Sequence, residues 1–198
     1  MSLVQNLFII SLLIIGAGFL SLTEIAFAAA RKVKLQILAE SGDERAAQVL
    51  KIQQQSADFF AASQIGLNAI AILGGILGEG AFRPYFAQFI QQFYQGEAVE
   101  SLAFALSFTI VTMAFILFAD LIPKRLAMLA PERIAISVIK PIQVFILVCK
   151  PLAWLINALA NALFRLLKIN TTRDDDITFD DISAVMDAGA EAGVLQKQ

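Results

Sequence analysis

The chain has no histidine and only one cysteine, Cys149, among its 198 residues. A lone cysteine cannot form a disulfide within the chain, and protein sites for zinc and copper are normally built from cysteine and histidine. The same absences exclude Ser-His-Asp and Cys-His nucleophilic centres. We therefore expect a protein that is not an enzyme, and any metal ion that it handles should be a hard ion such as Mg²⁺.

Two binding signatures are also missing. The sequence contains no glycine-rich phosphate loop followed by Lys-Ser/Thr, and no basic patch interleaved with aromatic residues, so nucleic acid is not an expected partner. Apolar residues are in excess instead, at 58% of the chain, with a mean hydropathy of +0.72. This excess lies in long blocks, which predicts an all-α integral membrane protein in contact with the lipid bilayer.

Three apolar runs, at about residues 3–30, 57–80 and 101–123, are each long enough to cross a bilayer, which takes about 20 apolar residues. Cations follow the first run and the third run, and this marks those ends as cytoplasmic. An aromatic-rich segment with a single cation, Arg83, follows the second run and is typical of the outer interface. The predicted N-terminus is therefore outside and the C-terminus cytoplasmic.

Residues 126–168 are apolar but carry scattered cations and prolines at positions 131, 141 and 151. This pattern predicts juxtamembrane helices in the cytoplasmic interface, whose lysine and arginine side chains reach the headgroups. A fourth span within 142–167 is the alternative, and hydropathy alone does not decide between them. We assign 1–168 to one transmembrane domain and predict that the acidic segment 169–198 is a helical cytoplasmic linker to further soluble domains.

Glu24 is the only charged residue in the first apolar run. A charge at that depth costs several kcal/mol unless it is paired, so an intramembrane carboxylate is a candidate functional residue. Asp120 and Asn68 lie at comparable depth on the other two spans. Helical spacing places further polar residues on the same faces. We predict one oxygen-rich cavity that collects Ser21, Thr23, Glu24, Ser63, Asn68 and Asp120.

Hydroxyl, amide and carboxylate oxygens are the ligands that Mg²⁺ and Ca²⁺ prefer. Backbone carbonyls freed near Gly66 or before Pro123 would add to them. The predicted metal ligands are thus Ser21, Thr23, Glu24, Ser63, Gly66, Asn68 and Asp120. Simpler roles remain open: Asp120 can pair with Lys124 at i, i+4, the serines can bond their own helix, and Gln64 can bond across a helix interface.

At these residues the chain resembles the CorC and cyclin-M family of magnesium transporters. The similar segments are Ser-Leu-Thr-Glu-Ile-Ala at 21–26, Gln-Ile-Gly-Leu-Asn at 64–68, Asp-Leu-Ile-Pro-Lys at 120–124 and Pro-Glu at 131–132. The resemblance implies a homodimer with three spans per subunit in a bacterial inner membrane. It further implies Mg²⁺ export coupled to Na⁺ entry, and a cytosolic CBS-pair domain, able to bind ATP, followed by a CorC domain.

The chain also departs from the family pattern. Asp120 replaces a glutamate, Ala119 a glycine, Thr23 a serine, and Ala71 an asparagine. These changes resemble a bacterial branch that exports polyamines such as cadaverine or putrescine. A diamine would need two separated anionic points with apolar walls between them, and Glu24 and Asp120 are the candidates. The hypotheses are thus Mg²⁺ export first, polyamine export second, and a non-transporting regulatory scaffold third.

Overall fold

The computed structural model describes residues 3–54 and 56–167, and these residues are helical apart from short turns. The predicted all-α class is confirmed. The elements in chain order are α1 (Leu3–Ala29), α2 (Lys32–Glu40), α3 (Glu44–Gln54), α4 (Ser56–Gln91), α5 (Val99–Ala114), a π-helical segment (Phe115–Leu121), α6 (Ile122–Leu129) and α7 (Pro131–Leu166).

Within the part of the chain that the structure describes, four helical stretches are long and apolar enough to cross a membrane: most of α1, α4, the continuous run Val99–Leu129, and α7. The first three correspond to the predicted spans, although α4 continues well beyond residue 80. Pro141 and Pro151 do not divide α7, which is one helix where the sequence suggested several. Its placement in the interface stays a prediction, because length and composition also permit a span.

The chain divides into a compact unit that ends at Leu155 and a second unit that begins at Ile156. The cavities and contacts described below lie in the first unit. The predicted acidic linker, 169–198, lies outside the described residues.

The C-terminal end of α1, which Arg31 and Lys34 follow in the sequence, is called the basic end here. Gln53 of α3 donates from its amide nitrogen to the carbonyl oxygens of Phe27, at 2.8 Å, and Ala30, at 3.0 Å. These carbonyls lie at the C-terminal end of α1, where the last carbonyl groups of a helix have no N–H partner within the helix. The two side-chain hydrogen bonds therefore fix α3 against the basic end of α1.

Small residues let α4 and α5 approach each other closely. A Cβ atom built on Gly78 would lie 2.5 Å from a methyl carbon of Val111, and one built on Gly74 would collide with the ring of Phe115. The two glycines are four residues apart and so lie on one helix face, as in the small-xxx-small pairs of membrane helices. The far end of the Phe115 ring therefore lies directly against α4 at Gly74.

The helix hydrogen-bond pattern changes just before Pro123. The amide of Ile122 donates to the carbonyl of Leu117, five residues back, as in a π-helix. Pro123 has no N–H to donate, so a carbonyl in the preceding turn loses its helical partner. A Cβ on Gly18 of α1 would lie 3.4 Å from the carbonyl oxygen of Phe118. The predicted disturbance before Pro123 is confirmed, and it packs directly on α1.

Candidate functional site

A cavity of about 300 Å³ lies between α1, α4 and the π-helical segment, near the basic end, and we call it the acidic cavity. Its volume is at the lower end of the range of small-molecule sites. Apolar residues form much of its wall. The polar side chains that line it are Ser21, Glu24, Gln64, Asn68, Asp120 and Lys124.

Each wall presents the residues that helical spacing predicts. Ser21 and Glu24 are separated by three residues on α1, and Gln64 and Asn68 by four on α4, so each pair shares a face. Asp120 lies in the π-helical segment, which packs on α1. The structure therefore brings together four of the predicted residues: Ser21, Glu24, Asn68 and Asp120.

Asp120 is the centre of a three-residue polar cluster. Its Oδ1 atom accepts a hydrogen bond from Ser21 Oγ at 3.2 Å and lies 2.5 Å from Lys124 Nζ. The i, i+4 ion pair that the sequence allowed is therefore present, together with the convergence on α1. The side chains of Asp120 and Lys124 are 44% and 34% exposed, so the pair is open to the cavity.

Glu24 has a different neighbour. Its Oε1 accepts a hydrogen bond from the amide nitrogen of Gln64 at 2.8 Å. The two carboxylates of the cavity thus stand on different helices, each with its own donor. Gln64 and Lys124 line the cavity although they were predicted only as interface and pairing residues. Their spacing of four residues from Asn68 and Asp120, respectively, was the signal that could have identified them.

Three predicted ligands do not line the acidic cavity, namely Thr23, Ser63 and Gly66. Thr23 is fully buried and donates from Oγ1 to the carbonyl of Leu20 on its own helix, at 2.8 Å. The Oγ atom of Ser63 is buried without a hydrogen-bond partner in the described part of the chain. Their side chains therefore point to helix interfaces.

Gly66 serves packing, since α4 runs through it without a break. A Cβ on Gly66 would lie 2.7 Å from the Phe145 ring and 2.8 Å from Leu20. The prediction that backbone carbonyls are freed near Gly66 is therefore wrong. The glycine is needed because α1 and α7 both approach the helix closely there.

The cavity is suited to binding cations, but its acids are dispersed. Among residues 3–54 and 56–167 no group of three or more Asp, Glu, His or Cys side chains is close enough to hold a metal ion. Two separate carboxylates are instead joined by apolar wall from Leu67, Ala71 and Phe115. Such an arrangement fits an elongated cation with charged ends at least as well as a small spherical one.

Long apolar helices, with a cavity lined by carboxylate, amide and hydroxyl groups between them, define a membrane protein. The family model of the cyclin M transmembrane N-terminal domain matches residues 8–198, and the chain belongs to this family. The resemblance read from the sequence motifs is thus confirmed.

Several relatives are similar along nearly the whole chain. A polyamine export protein of Salmonella typhimurium is 51% identical over 99% of this chain and 44% of its own length. A polyamine export protein of Haemophilus influenzae is 46% identical over 100% of the chain and 46% of its own length. A UPF0053 protein of Synechocystis is 31% identical over 97% of this chain and 43% of its own length. The chain spans less than half the length of these relatives.

Proposed function

We propose that this protein exports a diamine or polyamine from the cytosol across a bacterial inner membrane, through the acidic cavity. The observation that carries the proposal is the Asp120 cluster. There a carboxylate already holds a primary alkylammonium group, Lys124 Nζ, beside the Ser21 hydroxyl. The end of a diamine is the same chemical group.

Lys124 acts in this proposal as a resident counter-ion. An unpaired carboxylate within a membrane domain is costly, so Asp120 needs a cation when cargo is absent. An incoming ammonium offers the same three N–H donors and the same charge as the lysine. Cargo and Lys124 would therefore compete for Asp120, which makes binding reversible. Glu24, on the other wall, is the partner for the second ammonium.

The rest of the cavity suits the methylene chain between two ammonium groups. Ala17, Leu67, Ala71 and Phe115 provide apolar surface, which stabilises buried methylene groups by about 0.8 kcal/mol each. Ala71 stands where the magnesium pattern has an asparagine, and Asp120 where it has a longer carboxylate. The names of the Salmonella and Haemophilus relatives agree with this cargo.

Mg²⁺, with Na⁺ as the coupling ion, is the second candidate cargo. Oxygen atoms of Ser21, Asn68 and Asp120 line the same cavity, and they are ligand types that Mg²⁺ accepts. Mg²⁺ demands near-octahedral geometry, and no group of three or more acidic, histidine or cysteine side chains that could hold a metal ion is present among the described residues. For these reasons we rank the diamine first.

The proposal extends to the whole protein. We place the N-terminus outside and the C-terminus in the cytosol, and we expect a homodimer in the bilayer. In the full-length protein the acidic linker would lead to a CBS-pair domain, able to bind ATP, and a CorC domain.

Thermal-shift titration of the full-length protein tests the cargo, because a ligand that binds only the folded state raises Tm with concentration. Cadaverine and putrescine should raise Tm, pentylamine should raise it less since it lacks the second ammonium, and Mg²⁺ should leave it unchanged. Asp120→Asn and Glu24→Gln should remove the shift, whereas Glu97→Gln, an exposed acid outside the cavity, should keep it.

Other outcomes have defined meanings. A shift with Mg²⁺ alone would move the assignment to the second candidate. If neither ligand shifts Tm and proteoliposomes show no flux, the result would favour the third hypothesis, a non-transporting regulatory scaffold.

A further inference from the structure

Glu79 is a further carboxylate within a candidate span, and it does not line the acidic cavity. It lies on α4, its side chain is only 17% exposed, and its Oε1 atom is buried without a hydrogen-bond partner in the described residues. It forms an i, i+4 ion pair with Arg83, whose Nη1 atom is 3.6 Å from Oε1, which is too long for a hydrogen bond. A shielded carboxylate oxygen of this kind is stabilised by a cation, and Arg83 is the cation that the structure places near it.

Arg83 is held by another acid. Its Nε and Nη2 atoms lie 3.0 and 2.9 Å from Oε2 of Glu100. Both contacts are shorter than the contact with Glu79, so the guanidinium is oriented toward Glu100. Glu79 is therefore the more weakly held of the two acids that share Arg83, and its carboxylate can also accept an ammonium group.

Glu79 lines a cavity of about 530 Å³ between α4 and α5, which we call the Glu79 cavity. The rings of Phe104 and Phe108 line it, nearly parallel, with centroids 6.1 Å apart. Gly75 lines it on the α4 side. An ammonium group is attracted to aromatic faces and to carboxylates, and a methylene chain to apolar walls. The chemistry of the lining thus matches an alkylammonium ligand.

The Glu79 cavity adjoins the acidic cavity. Ala71 lines both cavities, and Thr112, in the Glu79 cavity, precedes Phe115, in the acidic cavity, by one helical turn. From Ala71 to Glu79 the rise along α4 is about 12 Å. The groove between α4 and α5 therefore leads away from the basic end, from one pair of carboxylates to another carboxylate.

We infer that the Glu79 cavity is a second binding station for the diamine on its way out, with Glu79 as the ammonium acceptor. This inference rests on the proposed function, and it adds a residue and a route that the acidic cavity does not contain. After leaving Asp120 the ammonium passes Phe115 and Ala71 and is received at Glu79. Arg83, paired with Glu100, lies beside this station and provides a positive charge that favours release.

Gly75 offers a direct way to close the route. A Cβ on Gly75 meets no heavy atom within 4 Å, and the same is true of Gly80 on the same helix. In Gly75→Leu the Cβ atom therefore meets no neighbour, and the side chain extends into the Glu79 cavity. Gly80→Leu is the matched control, because Gly80 has the same open space but does not line this cavity. We expect Gly75→Leu to reduce diamine export at least tenfold while the cadaverine-induced Tm shift is retained. Wild-type export by Gly75→Leu would contradict the route.

Thiol labelling tests the station without measuring transport. Gly75→Cys is made in the full-length protein on a cysteine-free background that includes Cys149→Ala. The introduced thiol is then treated with a cationic methanethiosulfonate (aminoethyl) and an anionic one (sulfonatoethyl). We expect modification by the cationic reagent to be at least tenfold faster and to be slowed by cadaverine. Glu79→Gln should remove the preference and Glu97→Gln should keep it.

Failure of this inference is distinct from failure of the proposed function. Equal rates for the two reagents, a preference that survives Glu79→Gln, or no protection by cadaverine would overturn the station even if cadaverine still shifts Tm. Absence of the Tm shift in the wild-type protein would overturn the proposed function itself.

Discussion

The contact between Lys124 and Asp120 yields the most informative prediction. If Lys124 competes with cargo for the carboxylate, Lys124→Met should increase affinity for cadaverine. The ion pair is 2.5 Å long, and its two side chains are about one-third to one-half exposed. A close pair of charges near a protein surface interacts by up to about 4 kcal/mol, and exposed pairs contribute about 1 kcal/mol or less.

The net effect of removing Lys124 therefore lies at about 1–2 kcal/mol, which corresponds to a decrease of roughly 5- to 30-fold in Kd. Isothermal titration calorimetry with cadaverine at neutral pH measures it, and methionine keeps most of the side-chain volume. Arg125→Met is the control, since Arg125 is an exposed neighbouring cation that does not line the acidic cavity. An unchanged or larger Kd in Lys124→Met would refute the exchange of Lys124 for cargo.

Three further predictions concern the same elements. Gly74→Ala should lower the free energy of unfolding by about 1–3 kcal/mol, because the added methyl group would collide with the Phe115 ring. Gly80→Ala is the control and should not destabilise the protein, since the space around Gly80 is open. Thermal unfolding in detergent measures both variants. Gln53→Ala should cost about 1–3 kcal/mol, because two carbonyls at the end of α1 lose their donor, and chemical denaturation would detect it; an unchanged midpoint would contradict this account. Gln64→Leu should reduce cadaverine affinity about three- to tenfold, since one hydrogen bond to the Glu24 carboxylate is lost. Calorimetry measures the change. Equal affinities for the wild-type protein and the variant would argue against a role for Glu24 in holding cargo.

Much of the site could be predicted because helical periodicity is a local property. The spacing of Ser21 and Glu24, and of Asp120 and Lys124, fixes which side chains share a helix face whatever lies opposite. The depth of each acid follows from its distance in residues to the flanking cations. Both quantities come from the rise and turn of one helix, so no neighbouring element needs to be known.

The rotation of each helix toward its neighbours could not be predicted in the same way. Ser63 and Gln64 are adjacent in sequence, yet Gln64 reaches Glu24 in the acidic cavity, while Ser63 Oγ is buried with no hydrogen-bond partner among the residues that the structure describes. Only the packing of α1 on α4 decides which of them faces the cavity. Gly66 shows the same limit, because its contacts with Phe145 and Leu20 come from two other helices.

From the amino-acid sequence alone, this chain could be identified as a helical membrane protein of the cyclin M transmembrane family, with carboxylates within its candidate spans. Composition, run length and motif order carry that information, since each depends only on neighbours along the chain. Only the packed helices show that Gln64 donates to Glu24 across two helices and that Glu79 lines a second cavity. These facts depend on how small residues such as Gly18, Gly74 and Gly78 set the approach of one helix to another, and that approach is fixed only when all the helices pack together.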